Sequence, residues 1–156
     1  MLAAAGLQAP LPREWIARHI PHEGDMCLID AVVSWDARSI RCTSMTHLSP
    51  TNPLRAEGRL GAVCGVEYAA QAMAIHCALA VDTGDSQARP AGGMIAALHD
   101  VECHTDRLDG VPQALDIAAT RESQLAGAAS YQFTIHCAAR LLLSGRVTLK
   151  LEGATP

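Results

Sequence analysis

An apolar segment in the middle of the chain constrains the fold more than any other feature. Residues 65–81 read G-V-E-Y-A-A-Q-A-M-A-I-H-C-A-L-A-V, and from Val66 to Val81 every residue but four is apolar. A helix that is apolar on nearly all sides is buried in a core. No stretch reaches the roughly 20 apolar residues of a membrane span. The sequence therefore predicts a buried central helix over Gly65–Val81 and no association with a membrane.

The segments on either side of this helix have the patterns of strands. Tyr131, Phe133 and Ile135 alternate with polar residues, so one face of that segment is apolar. One-sided alternation is typical of an antiparallel sheet with one covered face. Strands are predicted at Met26–Trp35, Ile40–His47, Met94–Cys103, Gln113–Arg121, Ser130–Cys137 and from about Arg146 to Glu152. The expected fold class is α+β, an antiparallel sheet wrapped around one long central helix.

Prolines, glycines and polar runs predict the connections between these elements. A short helix is expected from Pro12 to His19, after a loosely ordered stretch over residues 1–11, because proline is tolerated in a first helical turn. Loops are expected at 48–61 and 82–93, with tight turns at Gly127 and at Ser144-Gly145.

Size and composition place the chain in a broad class. Its 156 residues fit one domain, since domains run to roughly 100–200 residues. The net charge is −4 and no run of Lys or Arg occurs, which argues against a nucleic-acid partner. The six cysteines are scattered without a C-x-x-C pair, as expected for free thiols in a reducing cytoplasm and not for a metal site. We expect a cytoplasmic single-domain protein spanning residues 1–156.

Glu67 is the anomaly within the apolar helix. An unpartnered buried carboxylate costs several kcal/mol or more, so such a residue is usually paired, protonated or functional. Burial favours the protonated form, which suits a general acid. Gln71 lies one turn further along the same stripe, within reach of the carboxylate. A first-turn glutamate that only stabilises the helix dipole is an equally good interpretation of the spacing.

Histidines are the natural proton-transfer partners near neutral pH. His22 precedes the first long strand and His47 ends the second, and both lie at element ends where functional residues concentrate. His76 is nine residues past Glu67 on the helix, about 13.5 Å away at 1.5 Å per residue, which is too far for pairing. The candidate bases are therefore His22 and His47.

Three segments resemble a known family. Pro21–Asp30 (P-H-E-G-D-M-C-L-I-D) resembles the P-H-x-x-P-M/F-L-L-x-D opening of the 3-hydroxyacyl-acyl carrier protein dehydratases of the hotdog fold. Gly65–Ala74 (G-V-E-Y-A-A-Q-A-M-A) is similar to their central helix, in which a Glu is followed four residues later by Gln. Asn52-Pro53-Leu54 resembles their N-x-P-F-F segment. The match is best to the branch found in aryl polyene and related fatty-acid-like biosynthetic clusters. It follows the element order from about residue 21 to 151, and the specific motifs cover about 25 residues.

The resemblance implies an activity and an assembly. It implies a dimer under one continuous sheet, with each site built from a Glu of one protomer and a His of the other. That His removes the proton α to the thioester carbonyl, and the Glu helps the 3-hydroxyl leave as water. Carried over, Glu67 is the acid, Gln71 its orienter, and Gly65 and Val66 the amide donors to the carbonyl. The substrate is held on the phosphopantetheine of acyl carrier protein, and no other cofactor and no metal is implied.

One departure from the family pattern affects the base. The family carries its catalytic His in a G-H-F-P-G loop, whereas the corresponding stretch Glu57–Gly61 reads E-G-R-L-G, with Arg59 where the His would fall. Either His22 or His47 is the base, or the chain is not catalytic by itself. Arg59 is expected to face the phosphopantetheine or the acidic carrier protein.

Three functions follow from these observations. The first is a dehydratase that converts carrier-bound 3-hydroxyacyl thioesters to trans-2-enoyl thioesters. The second, favoured by the missing loop histidine, is a non-catalytic subunit that pairs with an active hotdog dehydratase. The third is a hotdog acyl-thioesterase, since a helix carboxylate can direct water at a thioester. A homodimer, a heterodimer with another hotdog subunit and a higher oligomer all remain open.

Overall fold

The computed structural model describes residues 7–82 and 92–152. The described helices are α1 (Arg13–His19) and α2 (Gly65–Asp82), with 3-10 turns at Gly24–Met26, Thr46–Leu48 and Ala62–Cys64. The described strands are β1 (Leu11–Pro12), β2 (Ala31–Trp35), β3 (Ser39–Ser44), β4 (Gly92–Cys103), β5 (Leu115–Leu125), β6 (Ala128–Cys137) and β7 (Arg140–Glu152).

These strands form one sheet that wraps around α2. Their order is β1-β2-β3-β5-β6-β7-β4, and every neighbouring pair is antiparallel. β4 follows the helix in sequence and forms one edge of the sheet. The predicted α+β architecture, an antiparallel sheet around one long helix, is confirmed.

Small residues let α2 lie close against the sheet. Ala69 and Ala72 are completely buried, and a Cβ added at Gly65 would lie only 2.9 Å from Leu143 Cδ2. The window Ala62–Ala80 is long and apolar enough to cross a membrane by length and composition alone, but 72% of it is buried inside the fold. Packing against the sheet accounts for the apolar composition of this helix.

The N-terminal stretch is more ordered than its sequence predicts. Leu11 pairs with Val32 as strand β1 and is 5% exposed, and Leu7 packs against the core. Leu7 and Leu11 are therefore packed on the fold, contrary to the expectation of a loose stretch, whereas residues 8–10 are exposed. Residues 1–6 lie outside the described part. The helix expected after Pro12 is present as α1.

The first long strand is shorter than predicted. The prediction began it at Met26, but β2 begins at Ala31, and Gly24–Met26 forms a 3-10 turn in which Gly24 has a φ of 56°. The second predicted strand ends at Ser44 and not at His47. Residues 27–30 belong to no helix or strand and are held partly by side chains of distant elements, which local sequence patterns do not reveal.

One predicted turn is correct and the other is wrong. Gly127, with a φ of 82°, turns the chain between β5 and β6 as expected. Ser144-Gly145 lies inside β7, and the turn into that strand is made by Ala138 and Ala139, both with positive φ. Gly145 is needed for close approach, since its Cβ would lie 3.2 Å from the Cα of Val101 on β4. Of the predicted loop at 82–93, residues 83–91 lie outside the described part.

Candidate active site

A cavity of about 270 Å³ lies beside α2. Its walls come from the end of α1 and the residues after it, one face of α2, and strands β4 and β7. The lining is mostly apolar and consists of His19, Ile20, Pro21, His22, Glu67, Ala70, Ala74, Cys77, Ala78, Met94, Ile95, Leu149 and Leu151. Polar groups are therefore few, and they gather at the end where Glu67 meets the segment following α1.

Glu67 and His22 of the same chain share this cavity. Glu67 is half-buried in the first turn of α2, and His22 is half-buried in the segment that follows α1. Burial lowers the pKa of His22, and the nearby Glu67 carboxylate partly opposes this effect. The Nδ1 atom of His22 is buried and has no hydrogen-bond partner among the described residues. The neutral imidazole, the form that can accept a proton, is therefore favoured.

Gln71 is held differently from the prediction. It was expected to orient the Glu67 carboxylate, but its Nε2 donates to the carbonyl of Met26 (2.6 Å) and its Oε1 accepts from the amide of Leu28 (2.8 Å). The side chain is 1% exposed. The Gln71 amide group is thus hydrogen-bonded to the backbone ahead of β2. The helical spacing between Glu67 and Gln71 does not predict these bonds.

His47 does not belong to the cavity, which corrects the prediction that it is a candidate base. It is completely buried, and its Nε2 donates to the carbonyl of Val111 (2.9 Å). Burial is the main cause that lowers the pKa of His47. A side chain enclosed by its own chain cannot contact a substrate, so His47 links two loops structurally.

Three further predicted positions also lie off the cavity wall. Arg59 is exposed and donates to the carbonyl of Asp106 (3.1 Å), because the turn Ala56–Arg59 points it along the surface. The amide of Gly65 already donates to the carbonyl of Ala62, since a 3-10 turn runs directly into α2. Val66 is 5% exposed and packs in the core. The Gly65 amide is thus already paired, whereas the exposed position of Arg59 is compatible with the expected contact to the phosphopantetheine or the carrier protein.

His19 also lines the cavity and is not among the residues predicted from the sequence. Its Nδ1 donates to the carbonyl of Trp15 (2.7 Å), and its ring stacks on the Trp15 ring with centroids 3.9 Å apart. This bond fixes which ring nitrogen carries the proton, because a carbonyl can only accept. The spacing of four residues on a predicted helix was the signal that could have revealed the pair.

The apolar wall runs along α2 away from Glu67. Ala70, Ala74 and Ala78 line it at one-turn spacing, and Ile95 and Leu149 face them from the sheet. From Glu67 to Ala78 the helix rises about 16 Å at 1.5 Å per residue. Small side chains along this stripe leave room for an extended apolar group whose polar end would lie at Glu67 and His22.

Metal ligation has no counterpart in this geometry. Within residues 7–82 and 92–152, no group of three His, Cys, Asp or Glu side chains is arranged to hold a metal ion. Cys77 reaches the cavity wall, and burial raises the pKa of its thiol. Its Sγ lies 3.5 Å from the hydroxyl of Tyr131, so the thiol belongs to a buried polar pair.

Comparison with known proteins identifies the family. The family model described as ApeP dehydratase (ApeP-like) matches residues 14–151. The chain belongs to the ApeP-like dehydratase family. No curated protein sequence matches it significantly.

Solved structures share the fold of this ApeP-like chain. The dehydratase heterocomplex ApeI:P from Xenorhabdus doucetiae has a TM-score of 0.77 and 23% identity, over 87% of this chain and 90% of that one. Thioesterase superfamily member 2 from Mus musculus has a TM-score of 0.58 and 16% identity, over 90% and 94%. The E. coli PaaI protein from the phenylacetic acid degradation operon has a TM-score of 0.56 and 11% identity, over 88% of each chain. The hotdog fold is thereby confirmed.

Proposed function

We propose that this ApeP-like chain dehydrates 3-hydroxyacyl thioesters carried on acyl carrier protein, giving trans-2-enoyl thioesters in fatty-acid-like or polyene biosynthesis in the cytoplasm. The observation that carries the proposal is the presence of Glu67 and His22 on one largely apolar cavity. Membership of a dehydratase family supports the reaction type.

The proposed step is an acid–base elimination. Neutral His22 takes a proton from C2, next to the thioester carbonyl, and the electrons of that C–H bond form the C2=C3 double bond. The C3–O bond breaks as the Glu67 carboxyl group gives a proton to the departing hydroxyl, which leaves as water. Proton return from His22 to Glu67 restores both groups. Positioned proton transfer of this kind contributes typically 10²- to 10⁴-fold to a rate.

The apolar wall is proposed to hold the acyl chain. A cavity of about 270 Å³ has room for several methylene groups, so part of an acyl chain fits beside Ala70 and Ala74. The phosphopantetheine arrives with the carrier protein, and the elimination itself needs no resident cofactor or metal.

A second subunit is proposed to complete the cavity. β4 is an edge strand, and its side chains Met94 and Leu98 are 51% and 44% exposed. Met94 also lines the cavity, so a hotdog subunit pairing along β4 would cover both the edge and the open side. Another copy of this chain or a different hotdog subunit fits this edge, and the similarity to the ApeI:P heterocomplex favours the latter.

One assay separates the three candidate functions. The purified protein is incubated with a 3-hydroxyacyl thioester on acyl carrier protein, alone and with a second hotdog subunit, and the products are followed by mass spectrometry. Loss of one water per acyl group that depends on Glu67 supports the dehydratase. Loss of water only with the second subunit, and unchanged by Glu67→Gln in this chain, identifies a non-catalytic partner. Release of free thiol without enoyl product identifies a thioesterase.

A further inference from the structure

Gln71 joins α2 to the backbone that follows His22. Its two polar groups bond to Met26 and Leu28, which are 45 and 43 residues away in sequence. Both bonds are short, and the side chain is 1% exposed, so water does not compete for the amide. A fully paired buried amide of this kind fixes the separation between the two segments that it joins.

The opposite side of this backbone segment is held as well. The carbonyl of Leu28 accepts hydrogen bonds from Ser44 Oγ (2.5 Å) and from Thr46 Oγ1 (2.7 Å). The amide of Leu28 is therefore hydrogen-bonded to α2, and its carbonyl is hydrogen-bonded to side chains at the end of β3 and just beyond it. The segment has little freedom to shift along the helix.

A tight turn connects His22 to the hydrogen-bonded segment Met26–Leu28. The amide of Met26 donates to the carbonyl of Glu23 (3.0 Å), and the amide of Cys27 donates to the carbonyl of Gly24 (3.1 Å). Arg13 reaches the carbonyl of Gly24 from α1 (3.2 Å). His22 directly precedes this turn, so a displacement of Met26 or Leu28 would be passed on to its imidazole.

We propose that Gln71 is a positioning residue that sets the place of the His22 imidazole opposite Glu67. Glu67 lies one helical turn before Gln71, so one helix carries the acid and fixes the segment that carries the base. The distance between acid and base is then set by α2 and does not depend on a flexible loop. The catalytic consequence rests on the proposed dehydration, whereas the structural consequence at His22 does not.

The test compares Gln71→Met with a control on the same helix, His76→Gln. Both substitutions disturb the hydrogen bonds of a buried polar side chain of α2. His76 is 2% exposed and bonds to the hydroxyl of Tyr131 and the carbonyl of Asp36, neither of which contacts Met26 or Leu28 through a hydrogen bond described above. Folding of each variant is checked by circular dichroism. If Gln71→Met does not fold, Ser44→Ala replaces it, because this change removes one of the hydrogen bonds to the Leu28 carbonyl.

The first readout is the titration of the His22 imidazole, followed by NMR. Loosening the segment admits water, and the pKa of His22 then rises towards its ordinary value because the effect of burial weakens. The other titratable groups that line the cavity are Glu67, His19 and Cys77. The titration is therefore repeated with Glu67→Gln, which separates the loss of the carboxylate charge from the loss of burial. An unchanged His22 titration in Gln71→Met would overturn the proposal, whatever the activity of the protein.

The second readout is steady-state dehydration. A misplacement of about 1 Å costs up to roughly 100-fold in rate, so kcat is expected to fall by about 10- to 100-fold in Gln71→Met, with KM little changed. His76→Gln is expected to lower stability and to keep kcat, because its hydrogen bonds to Tyr131 and Asp36 do not hold the His22 segment. Equal losses of kcat in the two variants would assign Gln71 a purely structural role. If the wild type proves inactive both alone and with a second hotdog subunit, the proposed function fails and the NMR titration alone decides the role of Gln71.

Discussion

The proposed chemistry depends on two side chains that are held in different ways. Glu67 belongs to the first turn of a rigid helix, whereas His22 belongs to an irregular segment that other residues must hold in place. The sequence identified Glu67 because a carboxylate is conspicuous among apolar helix residues. It identified His22 only through the motif at Pro21–Asp30, since position alone did not distinguish it from His47.

Glu67→Gln is expected to lower the rate of dehydration by about 10²- to 10⁴-fold, because the amide cannot donate a proton to the departing hydroxyl. Its shape is preserved and the side chain is only half-buried, so the thermal midpoint is expected to change little. The measurement is kcat by mass spectrometry together with a melting curve. A variant as active as the wild type would remove Glu67 from the mechanism.

The two candidate histidines are expected to separate activity from stability. His22→Asn should lower kcat by about 100-fold or more and leave the fold intact, because His22 lies on the cavity. His47→Gln should keep kcat and lower the free energy of unfolding by about 1–3 kcal/mol, because a buried hydrogen bond is disturbed. Urea denaturation and kinetics of both variants check this. If instead His47→Gln lost activity and His22→Asn lost only stability, His47 would be the functional residue.

Stability is expected to fall with acidification because of buried His47. Burial lowers its pKa in the folded state, so below about pH 6.5 the unfolded chain binds a proton that the folded chain does not. The free energy of unfolding therefore decreases as the pH falls from about 7 towards the lowered pKa of His47. Urea titrations at about pH 7.5 and about pH 5.5 should show a smaller decrease in His47→Gln. Identical decreases in both proteins would contradict this cause.

At the scale of elements, α2 serves both the core and the cavity. One face packs on the sheet, while Ala70, Ala74 and Ala78 leave space beside it.

The sequence predicted this helix well because nearly all its residues are apolar. It could not predict that residues 27–30 stay outside the strands, because their partner Gln71 is distant in sequence. The turn at Ala138-Ala139 was missed because neither residue is a usual turn former, and Gly145 was misassigned because its close approach to Val101 is a tertiary contact.

Ala74→Leu is expected to shorten the acyl chains that the protein accepts, since three added carbon atoms would enter the cavity. A mismatch of one methylene group in an apolar pocket is worth about 10-fold or more in kcat/KM, so the longest substrates should lose at least that much while short ones lose little. Val63→Leu, at a residue that is 62% exposed, is the control. Equal losses for all chain lengths would place the acyl chain elsewhere.

At the scale of the whole molecule, Glu67 and His22 of one chain line the same cavity, whereas the resemblance implies a site built from two protomers. The resemblance implied one residue from each protomer, because the usual histidine stands in the loop that reads Glu57–Gly61 here. In this chain that loop carries no histidine, and its Arg59 is exposed and donates to the carbonyl of Asp106. The fold class could be predicted from the periodicity of the sequence. Which residues come together in the site depends on contacts between distant segments, which the sequence pattern does not show.

Subunit mixing tests this central claim most directly. Glu67→Gln and His22→Asn proteins, each inactive alone, are unfolded together, refolded at equal amounts and assayed for dehydration of a carrier-bound 3-hydroxyacyl thioester. If each site is built from one chain, every site in the mixture lacks one group, and the activity stays as low as in the single variants. If each site takes one residue from each protomer, mixed dimers regain one intact site and the mixture recovers about a quarter of the wild-type rate. The proposed mechanism, in which both groups come from one chain, predicts no recovery, and recovery to that level would contradict it.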